Sequence, residues 1–310
     1  MDIRNATTIM KRRLSQRGWW KLFGLNTAIS LAAGLLVTIL LELLKTPEAT
    51  GLAGLDTRAT LEGICGILES AVAIALPFWE IGTVYLCLQL VRKEETGMPS
   101  LLQGFRRFGP VLRLLLMKFL ILMGATFALM YITLNVVASL PQTAEATALL
   151  QPMLESGQVV EMEPVLEILL DTMLPVLLVL MGLFLLVYLF ITFRLRWAEY
   201  AIMSDDTYQA TAAIRGSWRL TKGNCKKLLL LDLRFWWFYL LDAIVLAVGY
   251  LNLILPSAGI SLPIDTSVSE WLFYGIYLVL RLVVYTFLYP RMKITYAAAY
   301  DILTQRTPEE

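Results

Sequence analysis

The stretch Met173 to Phe193, MLPVLLVLMGLFLLVYLFITF, decides the fold: 21 residues pass without a charge. At about 1.5 Å per residue, a helix of that length spans the roughly 30 Å hydrocarbon layer of a bilayer. The chain then turns at once to RLRW, Arg194 to Trp197, and arginine beside tryptophan at the end of an apolar run suits a membrane interface. Outward from this run, five more stand out, over residues 22–43, 66–90, 111–139, 228–256 and 271–290. The first is too long for a signal peptide and lacks a small-residue cleavage site after it, so it is expected to remain as a helix. Composition agrees: 58% of the 310 residues are hydrophobic and 16% charged, against about 25% charged in soluble domains. Mean hydropathy is +0.67. The expected fold is all-α, a polytopic integral membrane protein with six transmembrane helices.

The net charge of +1 conceals a strong asymmetry. Of 26 lysines and arginines, 21 fall in four segments: six in 1–21, five in 92–113, seven in 194–227 and three in 291–310. The intervening segments 140–164 and 257–270 hold four and two acidic residues and no cation, and 45–62 is net acidic. Positive-inside bias then places both termini and both basic loops in the cytoplasm. The resulting division is one six-span domain over 1–310. It has a basic amphipathic N-terminus at 1–21, cytoplasmic loops at 92–113 and 194–227, an acidic extracellular loop at 140–164 and a cytoplasmic tail at 291–310.

The second basic loop ends in IRGSWRLTKGNCKKLLLLD, Ile214 to Asp232. Ala210, Ile214 and Trp218 recur every four residues and would share a helical face. Arg215, Arg219, Lys222, Lys226 and Lys227 are then expected to contact lipid phosphates while their stems cover apolar surface. Asp205 or Asp206 could cap this interfacial helix, which is a better use of an adjacent pair than metal binding. Gly223 could end it. Gly18 and Gly109 occupy similar places before the first and third spans, which suggests a threefold repeat of helix pairs. Plain six-span topology also produces basic flanks there.

Charges at membrane depth are few. Glu80 follows Pro77 in LPFWEIGTVYL, Asp242 lies mid-way along the fifth run, and Arg281 mid-way along the sixth. An isolated charge at mid-bilayer costs about 2.5–3.5 kcal/mol on insertion scales. A buried pairing of Arg281 with Asp242 or Glu80 would reduce that cost, either as a packing staple or as part of a substrate path. There is no histidine, and Cys65, Cys87 and Cys225 do not form a disulfide framework. No phosphate-binding loop or nucleophile elbow occurs. No catalytic residue, cofactor or metal site is therefore expected. Anionic lipids account for the basic flanks without nucleic acid, and a membrane-protein partner or a second copy is the other expected contact.

Three blocks carry a resemblance: LPFWEIGTVYLCLQLVRKEETGMPSLLQGFRRFG, RLRWAEYAIMSDDTYQATAAIRGSWRLTKGNCKKLLLLDLRFWWFYLL and YPRMKITYAAAYDIL. They resemble the uncharacterised bacterial multipass membrane proteins of domain-of-unknown-function family 975. Matching positions are Pro77, Gly82, Gly104 and Phe105, then Tyr200, Asp206, Ser217, Lys222, Gly223 and Leu231, then Pro290, Ala298 and Tyr300. LRFWWF departs from the Phe-Ile-Gly-Trp often found there. The resemblance implies a bacterial cytoplasmic membrane and a common six-span fold, and it implies no established reaction. The expected role is a non-enzymatic scaffold or accessory subunit. The alternative is a transporter or permease with a cavity lined by Glu80, Asp242 and Arg281.

Overall fold

The computed structural model describes residues 3–15, 19–45, 55–141, 148, 174–251, 254–255 and 266–304. The acidic segment 140–164, apart from residues 140, 141 and 148, lies outside them, as do Gly18 and residues 305–310. Every long element is a helix. Among the described residues, four helices are long and apolar enough to cross a membrane: Gly63–Arg92, Phe108–Ala138, Leu174–Ser204 and Trp271–Thr304.

The chain forms two compact units, 113–196 and the remainder. In the first, the helices Phe108–Ala138 and Leu174–Leu195 contribute apolar faces that stay outside. Tyr131 is 70% and Val179 73% exposed, a composition that water would not tolerate and lipid would.

The other unit begins with α1 (Ile3–Leu14), α2 (Trp19–Lys45) and α3 (Leu55–Arg92), followed by the short α4 (Met98–Leu101) and α5 (Gln103–Arg106). The long apolar helices named above are α6 (Phe108–Ala138) and α7 (Leu174–Leu195). Next come α8 (Trp197–Ser204), α9 (Ala210–Thr221), α10 (Cys225–Leu233), α11 (Trp236–Gly249), α12 (Thr266–Phe287) and α13 (Tyr289–Thr304). The apolar runs of the sequence fall on α2, α3, α6, α7, α10–α11 and α12.

Small residues and buried polar pairs set the contacts between helices. Gly24 of α2 lies against Thr286 of α12. Thr83 of α3 donates a 3.0 Å hydrogen bond to Asn26 of α2, the kind of polar link that holds helices together in lipid. Gly82 of α3 meets the backbone of Leu101, and Gly104 meets the backbone of Phe78; a Cβ at either glycine would collide with a carbonyl. Phe78 stacks on Phe105 and Phe108 at 5.7 and 4.9 Å. These contacts pin the first basic segment onto the side of α3.

Two expectations need correction, and a third needs extending. The fifth run is not one helix: it breaks at Arg234 and Phe235. Phe235 turns inward, 4% exposed, against Tyr296 at 6.0 Å, and Asp232 accepts a 2.5 Å hydrogen bond from the Tyr296 hydroxyl. That anchoring bends the chain, leaving α11 with 14 residues, about 21 Å of helix. Gly109, read as an elbow, lies inside α6, and the chain turns earlier, at Leu102 and Arg107. The segment after residue 290, expected as a tail, is helical and packs into the protein. As α13 it carries Ala297, Ala298 and Ala299 at 0% exposure and packs against α1, α3, α8 and α12. Its row of alanines permits that close approach from several sides. Pro290 falls in the first turn, where no amide hydrogen is needed.

Gly223 behaves as expected, ending α9 with a φ of +85°, a conformation glycine adopts without a Cβ penalty. The buried face of α9 is Ala210, Ala213, Ser217 and Thr221, which packs on α8. Ile214 is only half-buried and Trp218 is 38% exposed. The helix turns its small residues to protein and its tryptophan outward.

Candidate functional site

The polar groups form two systems. The first runs along α12 into α13, where YLVLRLVVYTFLYPRMK places Tyr277, Arg281, Tyr285, Tyr289 and Lys293 at every fourth position. Such spacing aligns side chains on one helical face, and all five are half-buried. The stripe continues across the turn at Leu288. The Arg281 guanidinium carbon lies 5.5 Å from the Tyr277 ring centroid and 5.3 Å from that of Tyr285. Its Nη1 also donates to the Tyr277 hydroxyl. Tyr285 and Tyr289 stack at 5.0 Å, and the Lys293 ammonium sits 5.2 Å from the Tyr289 ring centroid. Two aromatic faces thus attract the charge of Arg281.

The anionic members meet this stripe at different points. Asp242 interacts electrostatically with Tyr285, which Arg281 also faces, so the two charges have a tyrosine neighbour in common. Glu80 is exposed and interacts electrostatically with Tyr289, one turn away. Glu199 of α8 acts on Lys293, and the Tyr200 hydroxyl donates to the Lys293 carbonyl at 3.4 Å. Tyr285, Lys293 and Glu199 were missed at the level of sequence. The four-residue spacing was the available signal.

The second system is a set of arginines on helix C-termini. The last carbonyls of a helix lack intrahelical donors. At the end of α8, Arg107 donates to the carbonyls of Ile202, Asp205 (3.0 Å) and Asp206 (2.9 Å). Its guanidinium also lies 3.4 Å from the Asp206 carboxylate. Arg92 reaches the Ser204 carbonyl at 3.3 Å while gripping Asp301 of α13 with two nitrogens, at 3.2 and 2.9 Å. Ser204 and Tyr300 share a 3.1 Å hydrogen bond between hydroxyls. Both basic segments and the last helix are thereby tied together.

Neither aspartate caps α9: its N-cap position is Gln209, without a side-chain bond. Asp205 instead accepts 2.9 Å bonds from the Thr207 amide and hydroxyl. Those bonds, with a smaller contribution from Arg107, hold its carboxyl below the usual carboxylate range. The five cations Arg215, Arg219, Lys222, Lys226 and Lys227 are all exposed. Among the described residues, no group of three or more Cys, Asp or Glu is placed to hold a metal ion.

Fold and polar systems together define an all-α polytopic membrane protein. The model of the family described as "Protein of unknown function (DUF975)" matches residues 21–307. The chain belongs to that family. No curated protein and no solved structure matches it.

Proposed function

We propose that this chain is a non-catalytic scaffold or accessory subunit that works with a protein or lipid partner. The observation behind this reading is the knot in which Arg92 and Arg107 tie both basic segments to α13. Such a knot fixes a rigid surface, while apolar helices with outward side chains supply contact area within the membrane. In this reading the chain crosses a bacterial cytoplasmic membrane six times, with both termini and both basic segments inside. Arg215, Arg219, Lys222, Lys226 and Lys227 then meet anionic headgroups. The basic flanks before spans one, three and five form a repeat of topology, with the glycine elbow kept at Gly223.

Native mass spectrometry of the protein, extracted from its own membranes in mild detergent, tests the scaffold reading. A stoichiometric protein partner or a retained lipid is expected; a bare monomer under all mild conditions would overturn it. Topology has its own check in Cys225, the half-exposed cysteine beside Lys226. An impermeant maleimide should reach it only after cells are opened.

Transport is the second reading, favoured by the stripe that links Arg281 to Asp242 and continues to Tyr289 beside Glu80. Solute flux into proteoliposomes that falls in Arg281→Gln and Glu80→Gln, with unchanged folded yield, would favour it over the scaffold.

A further inference from the structure

A pocket of about 280 Å³ lies where the end of α1 meets the end of α3, lined by Arg12, Arg13, Leu90, Lys93, Glu94 and Thr96. Three cations face one carboxylate there. Arg13 is 8% exposed, and its Nη2 donates to the Val91 carbonyl at 3.0 Å. Its buried Nε has no acceptor among the described residues. A guanidinium is a planar array of five donors shaped for the oxygens of phosphate, and a buried donor without a partner calls for an explanation. Elsewhere in the knot, Arg92 and Arg107 spend several donors each on protein acceptors.

Lys93 supplies an independent observation. It is the non-glycine residue with positive φ, +66°, among the described residues. It follows directly after α3, where glycine would adopt that conformation freely. The chain instead keeps a lysine there, and that lysine lines the same pocket as Arg13. Strained positions of this kind concentrate at binding sites. Thr96 adds a hydroxyl donor.

We propose that this pocket binds a phosphoryl group, carried either by the headgroup of an anionic phospholipid or by a small soluble phosphate. Arg13 supplies the buried fork, Lys93 and Arg12 the point charges, and Glu94 excludes ligands that bring too little negative charge. The site is separate from the exposed cations of α9 and α10, and it does not depend on the scaffold reading.

The test uses the full chain in phosphatidylcholine nanodiscs and follows its melting temperature. One arm adds inorganic phosphate against chloride at equal ionic strength. The other replaces part of the phosphatidylcholine with phosphatidylglycerol. Lys93→Gly is the informative variant, because it relieves the backbone and removes the charge together. It should melt higher than the parent without anion and bind the effective probe about tenfold more weakly, the order expected for losing one charge-assisted contact. Arg13→Gln should abolish the response. Stabilisation by inorganic phosphate assigns a soluble ligand, and stabilisation by phosphatidylglycerol alone assigns a lipid. If neither probe stabilises the protein, or Lys93→Gly responds like the parent, the proposal is wrong.

Discussion

At the scale of single residues, chemistry that looks alike in sequence performs different work. Arg107 and Arg215 are both arginines in basic segments; the first caps α8 and the second is exposed. Nothing local distinguishes them, because the carbonyls that Arg107 meets lie 95 or more residues away. Arg107→Ala should lower stability by about 2 kcal/mol, as expected when a charged donor leaves carbonyls unmet. Arg107→Lys should recover only part of this, since an ammonium lacks the fork; thermal melts in detergent would measure both. Asp205 allows a prediction with a defined sign. Its carboxyl is held below the ordinary value of 3.8, so its contribution is complete above that pH and is lost as pH falls through the lowered value. Hydrogen exchange at the Thr207 amide should remain protected to below pH 3.8, and Asp205→Asn should remove that dependence. Gly223 was legible from its position between a helix and a leucine run. Gly82 and Gly104 were visible only through the family resemblance, because their reason is a backbone contact with another part of the chain.

At the scale of elements, apolar length identified the helices but not where they bend. The 228–256 run read as continuous because Asp232 and Arg234 near its start suit a cytoplasmic membrane interface. Its break depends on Phe235 and Asp232 finding Tyr296, a partner 64 residues away. The mid-membrane charges were legible as an expensive set in need of partners. Their arrangement was less so, because Tyr285, the tyrosine between Arg281 and Asp242, was not singled out in the sequence. Coupling through Tyr285 should appear in a double-mutant cycle. Arg281→Met and Asp242→Asn should be non-additive by about 0.5–1.5 kcal/mol, and the coupling should shrink in a Tyr285→Phe background. Full additivity would show that the two charges act independently. Gly104→Ala should fail more severely than Gly109→Ala, since the first meets backbone while nothing lies within 4 Å of the second. Overpacking costs about 1–3 kcal/mol where neighbours can yield, and a carbonyl yields little.

At the scale of the whole molecule, composition and charge bias made the membrane class legible from the start. They left hidden that the last helix is a core element, because the small faces of YAAAYDIL do not say which helices they meet. Removing the chain from Tyr289 onward should therefore abolish a monodisperse peak in size-exclusion chromatography. The packing of α1 against α13 also sets a schedule for biogenesis. α1 leaves the ribosome long before α13, and its inward face is covered only once α13 has been made. At roughly 5–20 residues per second, that wait lasts on the order of 15–60 s. During that time the emerging chain offers an uncovered amphipathic segment to chaperones, to insertion machinery and to quality-control proteases. A stalled or truncated product carries the same exposed segment without the helix that would cover it, and a protease could use that mark to distinguish an unfinished chain from a finished one.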